Sequence, residues 1–185
     1  DISLQTAESV YLELKKNKKY NLKITEPDGN FVKKLRFFKP DIVFNLLHGR
    51  YGEDGYIQSI LESEKIKYTH SGVMSSSIAI DKELSKKIFI KNKILTPKYI
   101  KFVYKNKKKQ KNIIKIIKKK LGFPVVIKPI NEGSSVNVFI CNKSNIIKFL
   151  NKLSHYGEVL IEKYIPGREI QVAIMGKKVL VVWDV

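Results

Sequence analysis

The segment from Val125 to Val138, VVIKPINEGSSVNV, constrains this chain more than any other. A β-branched run ends in Lys128 and Pro129, a Gly-Ser-Ser loop follows, and a second strand-like run begins. The pattern predicts a strand–loop–strand hairpin with Lys128 aimed along one face. Gly133, Ser134 and Ser135 let backbone N–H groups and hydroxyls approach an anion, because small residues permit the contact and oriented amides supply positive potential. The lysine precedes the loop, so this is not the P-loop pattern, in which Gly-Lys-Ser/Thr opens a helix. Taken alone, the triplet reads equally well as a serine-rich hairpin turn.

The 185 residues suffice for one large domain or two small ones with proper cores. Lys and Arg number 36 against 17 Asp and Glu, a formal net charge of +19 that raises a nucleic-acid reading. Arg36, Arg50 and Arg168 are the only arginines, whereas readers of base edges and phosphates favour arginine. Lysine is abundant alongside isoleucine and asparagine, residues with A/T-rich codons, and codon bias accounts for the charge more simply. Cys141 has no partner, which excludes an intramolecular disulfide and fits a reducing compartment; it reads as a small buried hydrophobe. No apolar run approaches a membrane span and no signal-peptide pattern opens the chain, so a soluble cytoplasmic protein is expected, without membrane or nucleic-acid partners.

Along the chain, an amphipathic helix is predicted over Leu4–Lys16, with Ser3 as its cap, then a strand near Tyr20–Thr25 and a turn at Pro27-Asp28-Gly29. Val43–Leu47 reads as a buried parallel strand that delivers His48 and a Gly-rich loop at its C-terminal end, where open α/β sheets place ligands. Helices follow at Tyr56–Glu64 and Val73–Ile80, and a boundary near Asp81 divides residues 1–80 from 81–185. The second unit reads as a helix at Lys82–Asn92, a strand at Tyr99–Val103, and a helix over Lys105–Lys120 whose isoleucines make one stripe. After the hairpin come a helix at Ser144–Leu153 and strands at Val159–Lys163, Glu169–Met175 and Lys178–Trp183. The fold class is an α/β N-terminal domain with a parallel sheet, followed by an α+β domain. Glu53 and Asp54 sit between glycines that open a helix and read as acids accepting from its amides. His155, in a polar stretch, reads as surface.

Four blocks in order, DIVFNLLHGRYGEDG (41–55), YTHSGVMSSSIAIDK (68–82), KPINEGSSV (128–136) and VLIEKYIPGRE (159–169), resemble the D-alanine–D-alanine ligases of the ATP-grasp superfamily. The resemblance covers nearly the whole chain. It implies that residues 1–80 form the N-terminal substrate domain and 81–185 an ATP-grasp domain, each incomplete. The first strand, with a Gly-rich loop and a glutamate for the first D-alanine, would precede Asp1. The Asp, Glu and Asn ligands of Mg²⁺ (or Mn²⁺), an arginine and a lid tyrosine would lie beyond Val185. The metal site is therefore expected outside the fragment, and the fragment alone is expected to be inactive.

The implied reaction joins two D-alanines into D-alanyl-D-alanine through an acylphosphate made from ATP, for peptidoglycan precursors, in an enzyme expected to be a homodimer when full length. ATP contacts fall by resemblance on Lys82, Lys128, Ser134, Ser135, on the adenine stretch Glu162, Lys163, Tyr164 and Ile165, and on Glu169 for the ribose hydroxyls. Ile2, His48 and Ser134 fall beside the first D-alanine, with Ser134 and His48 as the catalytic pair. Asn137 replaces the glycine usual in GSSVG, adding a Cβ and restricting φ; His70 replaces the glycine common in YTGSG. The rivals are a ligase making D-alanyl-D-lactate or another carboxylate–amine product, and a lysine-rich nucleic-acid binder using Lys105–Lys120. The latter needs an aromatic stacking platform, for which only Phe102 and Tyr104 are near.

Overall fold

A computed structural model of the chain describes residues 2–105 and 107–184, with side chains except those of 107–111. The first half contains α1 (Ile2–Lys15), α2 (Phe31–Phe38), β1 (Ile42–Val43), α3 (Tyr56–Ser63), β2 (Lys67–Tyr68) and α4 (Val73–Ile80). β1 and β2 pair in parallel, Ile42 opposite Lys67 and Val43 opposite Tyr68. Phe31 and Leu35, one helical turn apart on α2, close on Ile57 and Leu61 of α3 to form the local core. α2 was not predicted. It stops where Lys39 turns left-handed (φ +51°) and returns its N–H to the Leu35 carbonyl, with Pro40 following.

Three expectations for this half fail. Tyr20–Thr25 runs without strand hydrogen bonds. Its alternating Leu22 and Ile24 line an apolar cavity of about 220 Å³ with Leu4, Leu14 and Phe38. A period-2 pattern supplies a half-buried side but not the neighbour that a strand needs. The strand predicted over Val43–Leu47 lies one residue earlier and ends at Val43. Thr69 donates its N–H to the Val43 carbonyl, and then its side-chain oxygen, not a backbone carbonyl, accepts the Asn45 N–H at 3.1 Å. Ser3 is likewise no cap. It lies inside α1, and its hydroxyl accepts the His48 N–H at 3.2 Å.

The second half contains α5 (Lys82–Lys91), β3 (Tyr99–Val103), α6 (Lys107–Lys120), β4 (Val125–Pro129), β5 (Phe139–Cys141), α7 (Ile146–Lys152), a 3-10 turn (Ser154–Tyr156), β6 (Glu158–Lys163), β7 (Ile170–Met175) and β8 (Lys178–Asp184). An antiparallel sheet runs β3-β6-β4-β5, and β7 and β8 form a separate hairpin. The strand–loop–strand hairpin is present as predicted: β4 and β5 pair from Val125–Cys141 to Ile127–Phe139. Alternation along β4 buries Val125 and Ile127 against Ile113 and Ile117 of α6 and Ile146 and Leu150 of α7. Burying such side chains contributes about 1.5–3 kcal/mol each. Residue 106 and the side chains of 107–111, in the run singled out for nucleic acid, lie outside the described residues.

The other face of the same strands carries Lys128 on β4 and Leu160 and Glu162 on β6, and this face looks toward α5. Asp81 explains how α5 begins. Its carboxylate accepts the Leu84 N–H at 2.9 Å, a side-chain cap that leaves Lys82 as the first helical residue. The Asp-Lys pair is thus a cap followed by a cation at a helix start.

Candidate active site

A cavity of about 460 Å³ opens between the start of α5, the end of β4 and the loop after it. Lys82, Lys128, Ser134, Ser135, Glu53 and Glu169 all border it. Lys82 is held in place by backbone: its N–H and its ammonium both donate to the Ile130 carbonyl, at 3.1 and 3.3 Å, and the ammonium also donates to the Glu132 carbonyl. Burial, and then the nearby Lys128 ammonium, push the Lys82 pKa below the ordinary lysine value, against the pull of Glu132, Glu162 and Asp81.

Lys128 reaches back from the cavity wall to Glu162 at 2.6 Å. The other carboxylate oxygen of Glu162 meets Lys86 at 2.7 Å, and Lys86 also donates to the Thr96 hydroxyl at 2.7 Å. Lys86 and Glu162 are buried and do not border the cavity.

The loop after β4 is built from positive φ angles at Ser134 (+47°), Ser135 (+55°) and Asn137 (+56°). Bonds from the Val136 N–H to the Gly133 carbonyl (3.0 Å) and from the Val138 N–H to the Ser135 carbonyl (3.4 Å) close it. The side-chain amide of Asn137 donates to the Tyr156 hydroxyl at 2.9 Å. A Cβ on Gly133 would meet the end of the Glu53 side chain at 2.8 Å and the Gly49 backbone at 3.5 Å, so it would displace the Glu53 carboxylate that accepts the Gly49 N–H at 2.6 Å. The two Gly-rich loops therefore abut.

Of the GEDG acids, Asp54 behaves as read and accepts the Tyr56 N–H that opens α3, whereas Glu53 accepts the Gly49 N–H within the loop and no helix amide is its partner among the described residues. Glu53 also borders the cavity. The loop is pinned from beneath by Asn45 and Gln58, whose side-chain amides both donate to the Gly52 carbonyl, at 2.8 and 2.7 Å. His48 does not border the cavity. Its Nε2 lies 3.0 Å from the Thr6 hydroxyl, so α1 positions it, with Ile2 exposed at the same end. Thr6 was not singled out from the sequence; only its place one turn after Ser3 on α1 marks it.

The structure thus brings Lys82, Lys128, Ser134, Ser135 and Glu169 to one cavity and sets Glu162 behind it. Lys163, Tyr164 and Ile165 do not border it; the first two spend their N–H groups on the Lys98 and Pro124 carbonyls. His70 sits at φ +79°, a backbone that glycine adopts freely, and its ring lies 2.9 Å from the Thr69 hydroxyl. His155 is exposed. Cys141 is buried, and burial pushes its pKa up to about 11, which makes it an inert thiol. Among the described residues no three His, Cys, Asp or Glu side chains are grouped to hold a metal ion.

Family models described as the D-ala D-ala ligase N-terminus and C-terminus match residues 26–71 and 88–185, the second alone spanning more than half of the chain. The chain belongs to the D-alanine–D-alanine ligase family. It is 65% identical over 179 residues to a D-alanine–D-alanine ligase of Pelagibacter ubique (strain HTCC1062), covering 97% of this chain and 58% of that protein. A crystal structure of the D-alanine–D-alanine ligase from Bacillus anthracis superposes with a TM-score of 0.81 at 35% identity, covering 99% of this chain and 59% of that one. The same enzyme complexed with ATP gives 0.80 at 33%, covering 99% and 60%. The chain therefore spans under two thirds of the length of these family members and shares their fold over nearly all of its own.

Proposed function

We propose that this chain carries the first substrate domain (residues 1–80) and part of the ATP-grasp domain (81–185) of an enzyme that joins two D-alanines into D-alanyl-D-alanine. ATP becomes ADP and phosphate, and the reaction, in the cytoplasm, supplies a precursor of peptidoglycan and so serves cell-wall biogenesis and cell shape. The observation that carries this reading is the meeting of Lys82 and Lys128 with the Ser134–Ser135 turn around one cavity. Two cations beside a turn of accessible amides and hydroxyls suit a polyphosphate.

The chemistry asked of these residues is positioning and charge neutralisation. Lys82 and Lys128 bind the phosphates of ATP. The loop from Gly133 to Asn137 covers them and excludes water from the acylphosphate, while Ser134 reaches toward the first D-alanine. His48 and Ile2, set by Thr6 and Ser3 at the start of α1, orient that D-alanine. Its carboxylate takes the terminal phosphoryl group, and the amine of the second D-alanine displaces phosphate. Glu169, on the cavity rim, accepts from the ribose hydroxyls, and Glu162–Ile165 frame the adenine. Magnesium accompanies the ATP, and the full enzyme works as a homodimer. The nucleic-acid alternative is disfavoured by its aromatics: Phe102 is buried, and the Tyr104 hydroxyl is bonded to the Leu150 carbonyl at 2.5 Å.

In the full-length protein, Lys128→Ala is expected to lower ATP affinity by about tenfold or more, the scale of one lost charge-assisted contact. Ser134→Ala is expected to lower turnover while leaving the melting temperature nearly unchanged. Calorimetric ATP titration and steady-state kinetics check both. Unchanged ATP affinity in Lys128→Ala would overturn the phosphate role of this cavity.

A further inference from the structure

Lys128 has two claims on it. It borders the cavity where phosphates are proposed to bind, yet its ammonium is already paired to Glu162 at 2.6 Å. If Lys128 turned to a phosphate and Glu162 had no other partner, a buried carboxylate would be left uncompensated, and such a loss is strongly unfavourable. Lys86 removes that obstacle. Its side chain is 5% exposed and that of Glu162 8%, the two meet at 2.7 Å, and neither borders the cavity.

Other features confirm that Lys86 is fixed where it stands. It donates to the Thr96 hydroxyl, and its ammonium lies 5.3 Å from the centre of the Tyr99 ring. Tyr99 and Glu162 are direct neighbours across the β3–β6 ladder. Among the described residues, those that address Glu162 from the cavity side are Lys128 and, at longer range, Lys82.

We infer that Lys86 is a positioning residue: it is the permanent counter-ion of Glu162, and it frees Lys128, the exchangeable partner, to move onto the phosphates of ATP. Glu162 is in effect handed from two lysines to one when nucleotide binds. The inference rests on the ATP reading of the cavity and adds to it a residue that never touches the ligand.

The test is a double-mutant cycle in the full-length enzyme, read as the KM for ATP and for D-alanine. Lys86→Met keeps the length of the side chain and removes its charge. It is expected to raise the ATP KM by about tenfold or more while leaving the D-alanine KM and kcat within about threefold, and Lys86→Arg is expected to restore most of the loss. Because the work of Lys86 is to compensate Glu162, removing it from a Glu162→Gln background is expected to change the ATP KM by less than about twofold.

Should Lys86→Met alone not fold, Glu162→Gln and the pair Lys86→Met/Glu162→Gln decide the matter. A further rise of about fivefold or more in the pair overturns the inference, because Lys86 then acts by some route other than Glu162. An unchanged ATP KM in folded Lys86→Met overturns it too. Failure of the unmodified enzyme to bind ATP overturns the nucleotide reading and this inference with it, which separates the two failures.

Discussion

The side-chain amide of Asn137 donates to the hydroxyl of Tyr156 at 2.9 Å, tying the tip of the proposed phosphate cover to the 3-10 turn before β6. Asn137 stands at φ +56°, a backbone glycine adopts freely and asparagine tolerates. The residue is therefore two things at once: a mildly strained turn position and one end of a tether.

Those two roles separate by mutation. Tyr156→Phe cuts the tether without touching the loop backbone, and is expected to cost about 1 kcal/mol and to raise amide exchange across residues 133–137 about fivefold. Asn137→Gly cuts the same bond but relieves the left-handed backbone. Its stability is expected to stay within about 0.5 kcal/mol of the parent while its exchange rises equally. Hydrogen exchange together with thermal melts checks both. Equal destabilisation by the two variants would show that φ at Asn137 carries no strain.

The hairpin, the helix stripe of Ile113, Ile117 and Leu121, and the helix Val73–Ile80 were legible because their signals are local: β-branched runs, periodic isoleucines and flanking glycines. The failed strand at Tyr20–Thr25 shows the limit of such signals, since alternation describes a side chain's surroundings and a strand is made by a partner. Among the cavity residues, Lys128 stood out because a lysine ending an apolar strand has no packing reason to be there. Lys86 could not stand out. It is one lysine in KELSKKIFIK, and only the fold distinguishes it, by turning it inward onto Glu162 while Lys87 pairs at the surface with Glu83. Thr6 was hidden for the same reason, because its contact with His48 spans 42 residues.

Gly52 carries a prediction about the motif that first marked the N-terminal half. A Cβ there would lie 2.1 Å from Leu47 Cβ and 3.0 Å from the Leu47 backbone, a clash that no rotamer relieves. Its carbonyl also anchors both Asn45 and Gln58. Gly52→Ala is accordingly expected to destabilise the protein by about 3 kcal/mol or more, as overpacking and two strained buried bonds combine. Gly49→Ala tests only backbone, since nothing lies within 4 Å of its Cβ position although φ is +69°; about 1–2 kcal/mol is expected. Denaturant melts on the two variants check the order. A Gly52→Ala protein as stable as Gly49→Ala would mean that the loop is not packed on Leu47.

Lys82 yields a prediction about protons. Burial and the Lys128 ammonium lower its pKa in the folded protein, so there is a window below the ordinary lysine value in which the folded chain binds fewer protons at this site than the unfolded chain. Across that window this residue makes stability rise with pH, because deprotonation relieves a buried charge. Nucleotide acts in the opposite sense. Phosphate beside Lys82 favours the ammonium and raises its pKa, so ATP binding takes up protons in the window, and affinity falls as pH climbs through it. Titration calorimetry in that window, in two buffers of different ionisation enthalpy, is expected to show net proton uptake in the full-length protein. Lys82→Gln removes the titrating group and is expected to abolish most of that uptake while weakening ATP binding at neutral pH. Undiminished uptake in Lys82→Gln would assign the proton to another group, and affinity that rises with pH would overturn the placement of phosphate beside Lys82.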